Sequence, residues 1–347
     1  MTGIAFRHRL VSTLAATVAA TVTIVAQHQR PSVPPERLAT PAPTAARAGE
    51  VGVLPVQGRI YLLNLGDVNI VAQVGDDGIL LVDSGPAEWS ERIAQMLRER
   101  FGNRPLRYII NTHMHPDHVG GNAALARFGW PAPVAGGGGG GGNNQSARII
   151  AHENTLNRMS GTADGESEQK QEMLPTSTFF TEKKEIYFNG EPIEILAQPS
   201  AHTDGDVMVF FRGSDVIAAG DLFSTASYPV LDEKRGGGIQ GHLDALNRIL
   251  DITVPRFNEQ GGTLVIPGHG RLCNESDVDD YRNWMTIVRD RVQEMQKKGM
   301  SIQQVKAARP TLDYDGVFAS SKWTKDQFLE AVFRSLDASA ETPRKTN

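Results

Sequence analysis

Four side chains able to bind a metal ion lie within the run His113-Met114-His115-Pro116-Asp117-His118. His113 and His115 alternate at the end of a predicted strand, so both side chains point to the same side. Asp117 and His118 follow at the start of a turn. Imidazole and carboxylate are ligands for zinc, and also for iron or manganese. These groups at the mouth of a buried strand would be costly to desolvate unless they bound something, so the run predicts a metal site.

Short β-rich segments and amphipathic helices alternate along the chain around this run. The predicted strands cover residues 59–65, 68–74, 78–82, 106–110, 148–152, 185–188, 193–197, 207–211, 216–219 and 263–266. The predicted helices cover residues 87–101, about 121–129, 153–173 with a break at 161–165, 243–252, 277–298, 301–308 and 324–337. Strands followed by a helix occur twice, which predicts two sheets packed face to face with helices outside.

The first 50 residues have the composition of an export signal followed by a linker. Basic residues at positions 7–9 precede the apolar segment Leu10 to Ala26, so residues 1–26 are predicted to be a signal peptide. A retained membrane anchor is the alternative, although the apolar segment is short for a membrane span. Residues 27–50 contain five prolines and predict a disordered linker. We therefore expect a periplasmic or secreted protein with no stable membrane insertion after signal cleavage.

The remaining chain divides into a catalytic domain, predicted at 51–275, and a C-terminal helical extension packed on it, predicted at 276–347. In the extension, Tyr281, Trp284, Val288 and Val292 recur at helical spacing. This spacing predicts a face that packs on the domain, with a homodimer contact or a wall of the substrate cleft as alternatives. The seven glycines at 136–142 predict a surface insertion, with a mobile flap as the alternative.

Charge and cysteine content narrow the classes of partner and site. The net charge is −5, and five Arg against two Glu in the first 50 residues leave about −8 on residues 51–347. An acidic body is a poor match to nucleic acid, so we expect a small-molecule substrate and no nucleic-acid partner. The single cysteine, Cys273, excludes an intrachain disulfide and a zinc site built from several cysteines.

Five motifs together resemble the metallo-β-lactamase fold superfamily. The run THMHPDHVGG at 112–121 is similar to the metal-binding signature of that family. The other motifs, in the family's order along the chain, are LLVDSG at 80–85, PSAHTDGD at 199–206, AAGDLF at 218–223 and PGHG at 267–270. The resemblance implies an α/β fold, an αββα four-layer sandwich in which helices flank two mixed β-sheets and the metals lie at one edge.

The resemblance also implies a site for two zinc ions, with iron or manganese as alternatives. The implied ligands are His113, His115 and His202 for one ion and Asp117, His118 and His269 for the other, with Asp221 bridging them. Asp83 is expected to orient a histidine ligand, or the turn, from behind the site. Taken alone, His202, Asp221 and His269 would each be read as ordinary turn or strand-end residues, and only the joint pattern makes them ligands.

Such a site predicts hydrolysis. Two cations about 3.5 to 4 Å apart lower the pKa of a shared water toward neutrality and provide a bridging hydroxide. The hydroxide would attack a carbonyl carbon or a phosphorus, and a metal would stabilise the developing oxyanion. Asp117 is the predicted catalytic residue, because its carboxylate can bind a metal and also hold the proton of the water.

The details around the bridging aspartate favour a general acyl hydrolase. The β-lactamases of the superfamily mostly carry Cys or Ser where this chain has Asp221, and many carry Lys where it has Ser224. Asp221 instead resembles the thioesterase and lactonase branches. The expected bond is an ester, lactone, thioester or lactam, with a β-lactamase-like enzyme as one alternative. An exported metal-binding or sulfur-handling accessory protein without hydrolytic turnover is the alternative from another class.

Candidate substrate-binding residues lie after the bridging aspartate. Ser224 and Tyr228 follow it on a loop that must pass near the metals, and His242 begins a helix from which it could reach inward. Lys234 and Arg235 precede three glycines and could meet an anionic substrate. A plain surface or packing role is the alternative for each of them.

Overall fold

The structure is a computed structural model that describes residues 49–128, 146–161, 170–255 and 262–341, with side chains through residue 337. These residues belong to one compact unit. The predicted signal peptide at 1–26, nearly all of the predicted linker at 27–50 and the glycines at 136–142 lie outside the described residues. Within the described ranges, no helix is both long enough and apolar enough to span a bilayer.

The first sheet has seven strands that pair in chain order. They are β1 (Gly52–Pro55), β2 (Ile60–Asn64), β3 (Asn69–Gly75), β4 (Gly78–Val82), β5 (Leu106–Ile110), β6 (Arg148–His152) and β7 (Ser177–Phe179). The first four strands are antiparallel, whereas β4 to β7 are parallel. Because Val82 pairs with Ile110 in the parallel part, the chain leaves β4 and β5 at the same edge, where Asp83 and the metal-binding run follow.

The second sheet has six strands in the order β13-β12-β11-β10-β9-β8. They are β8 (Lys183–Phe188), β9 (Glu191–Gln198), β10 (Asp206–Phe211), β11 (Val216–Ser224), β12 (Leu264–His269) and β13 (Cys273–Asn274). The pairing of β11 with β12 is parallel and its register shifts on both sides of Gly220. This irregular end of β11 carries Asp221 beside the end of β12, which carries His269.

The helices cover both outer faces of the sheets. They are α1 (Ser90–Phe101), α2 (Pro116–Val119), α3 (Asn122–Arg127), α4 (Glu153–Met159), α5 (Ile239–Ile252), α6 (Glu275–Lys297), α7 (Ile302–Ala308), α8 (Asp315–Phe318) and α9 (Lys325–Glu341). Short 3-10 turns occur at Ala87–Trp89, Gln171–Met173 and Glu233–Arg235. A capping box between Asn274 and Asp277 fixes the start of α6, because each side chain bonds to the backbone N–H of the other.

Three apolar clusters hold these layers together. One fills the space between the two sheets and includes Val71, Val82 and Phe211. A second lies between the first sheet and helices α1 and α3, and a third joins the second sheet to α5, α6 and α9. The alternation of cluster and sheet confirms the predicted αββα four-layer sandwich.

Helix α6 packs inside the third cluster. Tyr281, Trp284, Val288 and Val292 are all buried there. The predicted packing face is therefore confirmed, and these four side chains offer no surface for a dimer contact or a cleft wall. The same cluster continues across residue 275, while the division into a 51–275 domain and a 276–347 extension stays a prediction.

Candidate metal centre

The seven predicted ligands meet at one edge of the sandwich. His113 and His115 follow β5, and α2 contributes Asp117 and His118 in a single turn. The remaining ligands come from the β9–β10 loop (His202), from β11 (Asp221) and from the end of β12 (His269). Their donor atoms form two groups, within each of which the atoms lie within 4.8 Å of one another. The groups are His113, His115, His202 and Asp221, and then Asp117, His118 and His269.

Each of the five histidines directs one ring nitrogen at an oxygen of the surrounding protein. The pairs are His113 Nδ1 with Thr112 Oγ1 (3.0 Å), His115 Nε2 with Asp232 Oδ2 (2.9 Å), His118 Nδ1 with Asp83 Oδ2 (2.8 Å), His202 Nδ1 with the Val230 carbonyl (2.7 Å) and His269 Nδ1 with the Asp67 carbonyl (2.7 Å). Carbonyl and carboxylate oxygens only accept, so a neutral ring must carry its hydrogen on that outer nitrogen. The Thr112 hydroxyl donates to Asp83, and its oxygen is left to accept from His113.

The inner nitrogen of each neutral ring is then unprotonated and carries a lone pair. These lone pairs face one another. His115 Nδ1 lies 2.9 Å from His202 Nε2, and His118 Nε2 lies 3.4 Å from His269 Nε2. Among the described residues, buried His113 Nε2 has no hydrogen-bond partner. Facing lone pairs at these distances repel unless a cation lies between them. The donor set therefore fits divalent metal ions of the kind that bind imidazole and carboxylate.

Asp221 lies between the two groups and presents one oxygen to each. Its Oδ2 is 3.8 Å from His113 Nε2 and 3.7 Å from His202 Nε2. Its Oδ1 is 3.3 Å from His118 Nε2 and 3.4 Å from His269 Nε2. One carboxylate can thus contact both metal positions.

The protonation states follow from burial and from this carboxylate. Burial lowers the pKa of His113 well below its usual range and the pKa of His202 to about 4, so both rings are neutral at pH 7. Burial lowers the pKa of His118 and of His269 as well, but facing oxygen groups outweigh it. Asp221 and Asp83 together raise the pKa of His118, and Asp221 with the Asp67 carbonyl raises the pKa of His269. Burial raises the pKa of Asp221, whereas His269 and His118 hold it well below its usual range. The field that attracts protons to this pair would also attract a metal cation.

Two buried aspartates fix the backbone beside the ligands in the same way. Asp83, which has a left-handed φ of 66°, accepts from the N–H (2.7 Å) and the hydroxyl of Thr112. Asp206 accepts from the N–H (2.7 Å) and the hydroxyl (2.6 Å) of Thr203. Each threonine is adjacent to a histidine ligand, so both aspartates orient ligands from behind. Asp83 was predicted for this position, whereas Asp206 was not.

The loop that follows Asp221 is held from behind by the C-terminal helices. The Tyr228 N–H donates to the Phe318 carbonyl at 3.0 Å, and the Tyr228 hydroxyl donates to Asp315 at 2.9 Å. Trp323 Nε1 donates to the Pro229 carbonyl at 3.2 Å. The Val230 carbonyl that orients His202 lies on this loop, so the C-terminal helices support a ligand indirectly.

Asp232, on the same loop, orients His115 and was not predicted from the sequence. Its Oδ2 accepts from His115 Nε2 and from Arg235, both at 2.9 Å, and its N–H donates to the His202 carbonyl. Burial raises the pKa of Asp232, but the bonds from His115 and Arg235 outweigh it and lower the pKa to about 2. The carboxylate is therefore ionised and holds the His115 ring.

We expect Asp232→Ala to weaken metal binding by about tenfold, because carboxylates that orient ligating histidines typically contribute this much. Asp232→Asn should recover part of the affinity, since its amide oxygen can still accept from His115. Competition with a chromogenic chelator measures the affinity. Asp244→Ala, an exposed aspartate on α5, is the matched control. Equal affinity in Asp232→Ala and the control would show that Asp232 does not support the site.

A cleft of about 930 Å³ opens over the ligands. His115, Asp117, His202, Asp221 and His269 form its floor. Its walls contain Leu65, Val68, Trp89, Val230, Trp323 and Lys322, among others. The walls come from the β2–β3 turn, the turn before α1, the loop after β11 and the α8–α9 loop. A cavity of this size and mixed polarity suits a small organic substrate.

The predicted substrate-binding residues are placed differently from one another. Ser224 lines the cleft, although it is mostly buried and accepts from the Ala226 N–H. Tyr228 borders the cleft, but its side chain is buried and its hydroxyl bonds to Asp315. His242 is not among the residues that line the cleft: its ring is fully buried on α5, and Nε2 donates to the Leu222 carbonyl at 2.8 Å. Arg235 pairs with Asp232 rather than facing the cleft.

Several cleft residues were not found from the sequence. The Asp67 carbonyl orients His269, and Trp89, Lys322 and Trp323 form walls. A signal existed only for Asp67, because a Gly66-Asp67 turn between two predicted strands places it at a sheet edge. Lys322 and Trp323 lie in a segment without a motif, and only tertiary packing brings them to the site.

Comparisons with known proteins place the fold and the site in one family. The family model of the metallo-beta-lactamase superfamily matches residues 63–269. The alpha subunit of 2,4-dinitroanisole O-demethylase from Nocardioides sp. (strain JS1661) is 26% identical over 235 residues, which is 66% of this chain and 61% of that protein. Metallo-beta-lactamase type 2 from Bacillus cereus is 22% identical over 199 residues, 56% of this chain and 64% of that protein. The chain thus spans less than two thirds of the length of these relatives.

Solved structures show the same fold at low sequence identity. A metallo-beta-lactamase from Pontibacter korlensis is 16% identical, with a TM-score of 0.51 over 68% of this chain and 99% of that one. The stereoselective inverting sec-alkylsulfatase from Pseudomonas sp. is 15% identical, with a TM-score of 0.60 over 82% of this chain and 50% of that one. The match of the family model over more than half of the chain shows that this protein belongs to the metallo-beta-lactamase superfamily.

Proposed function

We propose that this protein is a hydrolase that uses two bound zinc ions to cleave an acyl bond. The observation that carries the proposal is the set of inward-facing imidazole lone pairs with Asp221 between them. His113, His115, His202 and Asp221 would hold one ion, and Asp117, His118 and His269 would hold the other, with Asp221 shared. Iron or manganese would suit the same ligands.

Bound divalent metals supply Lewis acidity and lower the pKa of a coordinated water toward neutrality. The protein provides the orientation for this chemistry. Asp83 and Asp232 fix the rings of His118 and His115 from behind. Asp117 is the most accessible acid of the floor, with 41% of its side chain exposed, and its Oδ2 lies 3.5 Å from His269 Nε2. This exposure and position support the proposal that Asp117 accepts a proton from an attacking water.

The substrate class that we favour is an ester, lactone or thioester. The likeness to the Bacillus cereus enzyme keeps a β-lactam as an alternative. Other relatives are named for cleavage of an aryl methyl ether and of a secondary alkyl sulfate, so both belong in a substrate panel. The predicted export signal adds the proposal that the enzyme works in the periplasm or outside the cell. A metal-binding accessory protein would have the same ligands but no turnover.

The test measures zinc content and turnover together. We expect zinc-loaded protein to hydrolyse at least one of a chromogenic ester, a lactone, a thioester and a cephalosporin, and His115→Ala to lower kcat/KM at least about tenfold by removing one ligand. His152→Asn is the matched control, because His152 lies outside the cleft and asparagine can keep its bond to the Asn154 N–H at the start of α4. Zinc-loaded protein without turnover of any substrate, including the ether and the sulfate, would leave the accessory-protein alternative.

A further inference from the structure

Lys322 is the only lysine or arginine among the described residues that line the cleft. It lies in the loop between α8 and α9, and its ammonium forms an ion pair with Asp67 in the β2–β3 turn. Both side chains are mostly exposed, Lys322 at 79% and Asp67 at 75%. The pair therefore stands at the open mouth of the cleft, with solvent on its outer side.

Stability does not explain the presence of this cation. An exposed ion pair contributes little to folding stability, so Lys322 is not needed to hold the loop. The loop is already held by Trp323, whose indole bonds to the Pro229 carbonyl. An ammonium has three N–H donors. Lys322 can therefore offer its donors to an anion within the cleft in exchange for Asp67.

The charge of the floor also favours an anion, and here the inference rests on the proposed function. The floor carboxylates are Asp117 and Asp221, and Glu88 and Asp67 add one acid each on the walls. Two divalent cations would balance these four acids, which leaves the charge of Lys322 in excess. The metal-loaded floor and Lys322 would then form a positive field, in which a negatively charged group is attracted to the mouth of the cleft.

Apolar side chains also line the cleft. Leu65 and Val68 flank the β2–β3 turn, and Trp89 lies in the turn before α1. Val230 lines the cleft from the loop after β11, and Trp323 lines it from the α8–α9 loop. The indole of Trp323 follows Lys322 directly in the chain, so one short segment presents an aromatic surface and a cation together.

We propose that Lys322 binds an anionic group of the substrate. The substrate is then an amphiphile. Its acyl bond would lie over the metal ligands, and its apolar or aromatic body would lie against Trp89 and Trp323. A carboxylate or another oxyanion group would reach Lys322. Asp67 competes with the substrate for Lys322 and thereby limits its affinity.

A pair of matched esters tests this assignment. Mono(4-nitrophenyl) adipate carries a free carboxylate, and methyl 4-nitrophenyl adipate carries none, although both have the same scissile bond. For Lys322→Gln we expect the ratio of kcat/KM for the acid to kcat/KM for the methyl ester to fall about tenfold. The fall should come from a higher KM for the acid, because one charged contact is lost. For Asp67→Asn we expect the ratio to rise about twofold or more, since a competitor for Lys322 is removed.

Two further variants make the result specific. Lys298→Gln removes an exposed lysine that pairs with Glu294 on α6, outside the cleft, and should leave the ratio unchanged. Asp67→Asn added to Lys322→Gln should have no further effect on the ratio, because the two residues act through one contact. An equal ratio in Lys322→Gln and Lys298→Gln would overturn the assignment. A double variant in which Asp67→Asn changes the ratio as much as it does in the parent protein would also overturn it.

A binding measurement separates this inference from the proposed function. 4-Phenylbutyrate and 4-phenylbutyramide are titrated into zinc-loaded protein and followed by tryptophan fluorescence. We expect Lys322→Gln to bind the butyrate about tenfold more weakly than Lys298→Gln does, with a smaller difference for the amide. If this selectivity holds while no substrate turns over, the hydrolase proposal fails and the anion site stands. If both variants bind butyrate equally, the anion site fails whatever the turnover.

Discussion

Replacement of Asp221 by alanine is expected to lower kcat/KM by on the order of a thousandfold and to reduce the bound zinc to one ion or none. Substitution of a carboxylate that merely orients a ligand typically costs about 10- to 100-fold. Replacement of Asp221 should lower kcat/KM by more than that, because its two oxygens face four histidine nitrogens at 3.3 to 3.8 Å, two in each group.

The loss should appear in metal content as well as in rate. Without Asp221 the two groups retain three protein ligands each, but no carboxylate is shared between them. Zinc per chain, measured by mass spectrometry after dialysis, should fall in step with kcat/KM. Asp290→Ala removes an exposed aspartate that pairs with Arg289 on α6 and serves as the control. Two tightly bound zinc ions in Asp221→Ala would contradict the bridging role.

Replacement of Gly268 by alanine should displace the Asp221 carboxylate without removing any ligand. A Cβ on Gly268 would lie 2.1 Å from Asp221 Oδ1 and 2.9 Å from the carbonyl carbon of Gly220. Contacts this short cannot be tolerated, and the side chain of Asp221 is the part that can move. Displacing a reacting or ligating group by about 1 Å can cost about a hundredfold in rate. We therefore expect kcat/KM to fall by about that factor.

Gly316→Ala is the matched control for this substitution. No atom lies within 4 Å of the Cβ position at Gly316, which lies in α8, and alanine favours a helix more than glycine does. Thermal unfolding and kcat/KM should be compared for both variants. A Gly268→Ala protein with normal activity would show that the close approach of β12 to Asp221 is not needed. A Gly268→Ala protein that unfolds at a lower temperature but keeps its kcat would show that Gly268 supports folding stability and not the position of Asp221.

The fold was largely predictable because its main strands and helices have strong periodicity. Strands β4, β5 and β6 begin and end where the sequence predicts, since turns with Gly, Asp and Asn bound their apolar runs. The strands β1, β7 and β13 were not predicted, because segments of two to four residues contain no measurable alternation. Strand β11 continues five residues beyond the predicted end at 219, through an irregular segment around Gly220.

The candidate site was predictable where its residues form motifs. The five histidines and Asp221 lie in short patterns that resemble a known family. Asp232, Asp206 and Lys322 do not, because their roles depend on loops brought together by packing. His242 shows the limit of such reasoning: its place at a helix start suggested that it could reach inward, and in the fold its buried ring bonds to the Leu222 carbonyl instead.

The contacts of the C-terminal helices with the loop after β11 set an order of events during synthesis. Phe318 and Trp323 hold residues 228 and 229 of that loop, and Ser335 accepts from the N–H of Ile239. A nascent chain on the ribosome has all seven ligands soon after residue 269, but it lacks the helices that brace the loop. The ligand-rich sheets would then form first and become a tight metal site only after residues 315–335 have been synthesised. A chain truncated before residue 315 should therefore bind zinc weakly and be more exposed to proteolysis at that loop.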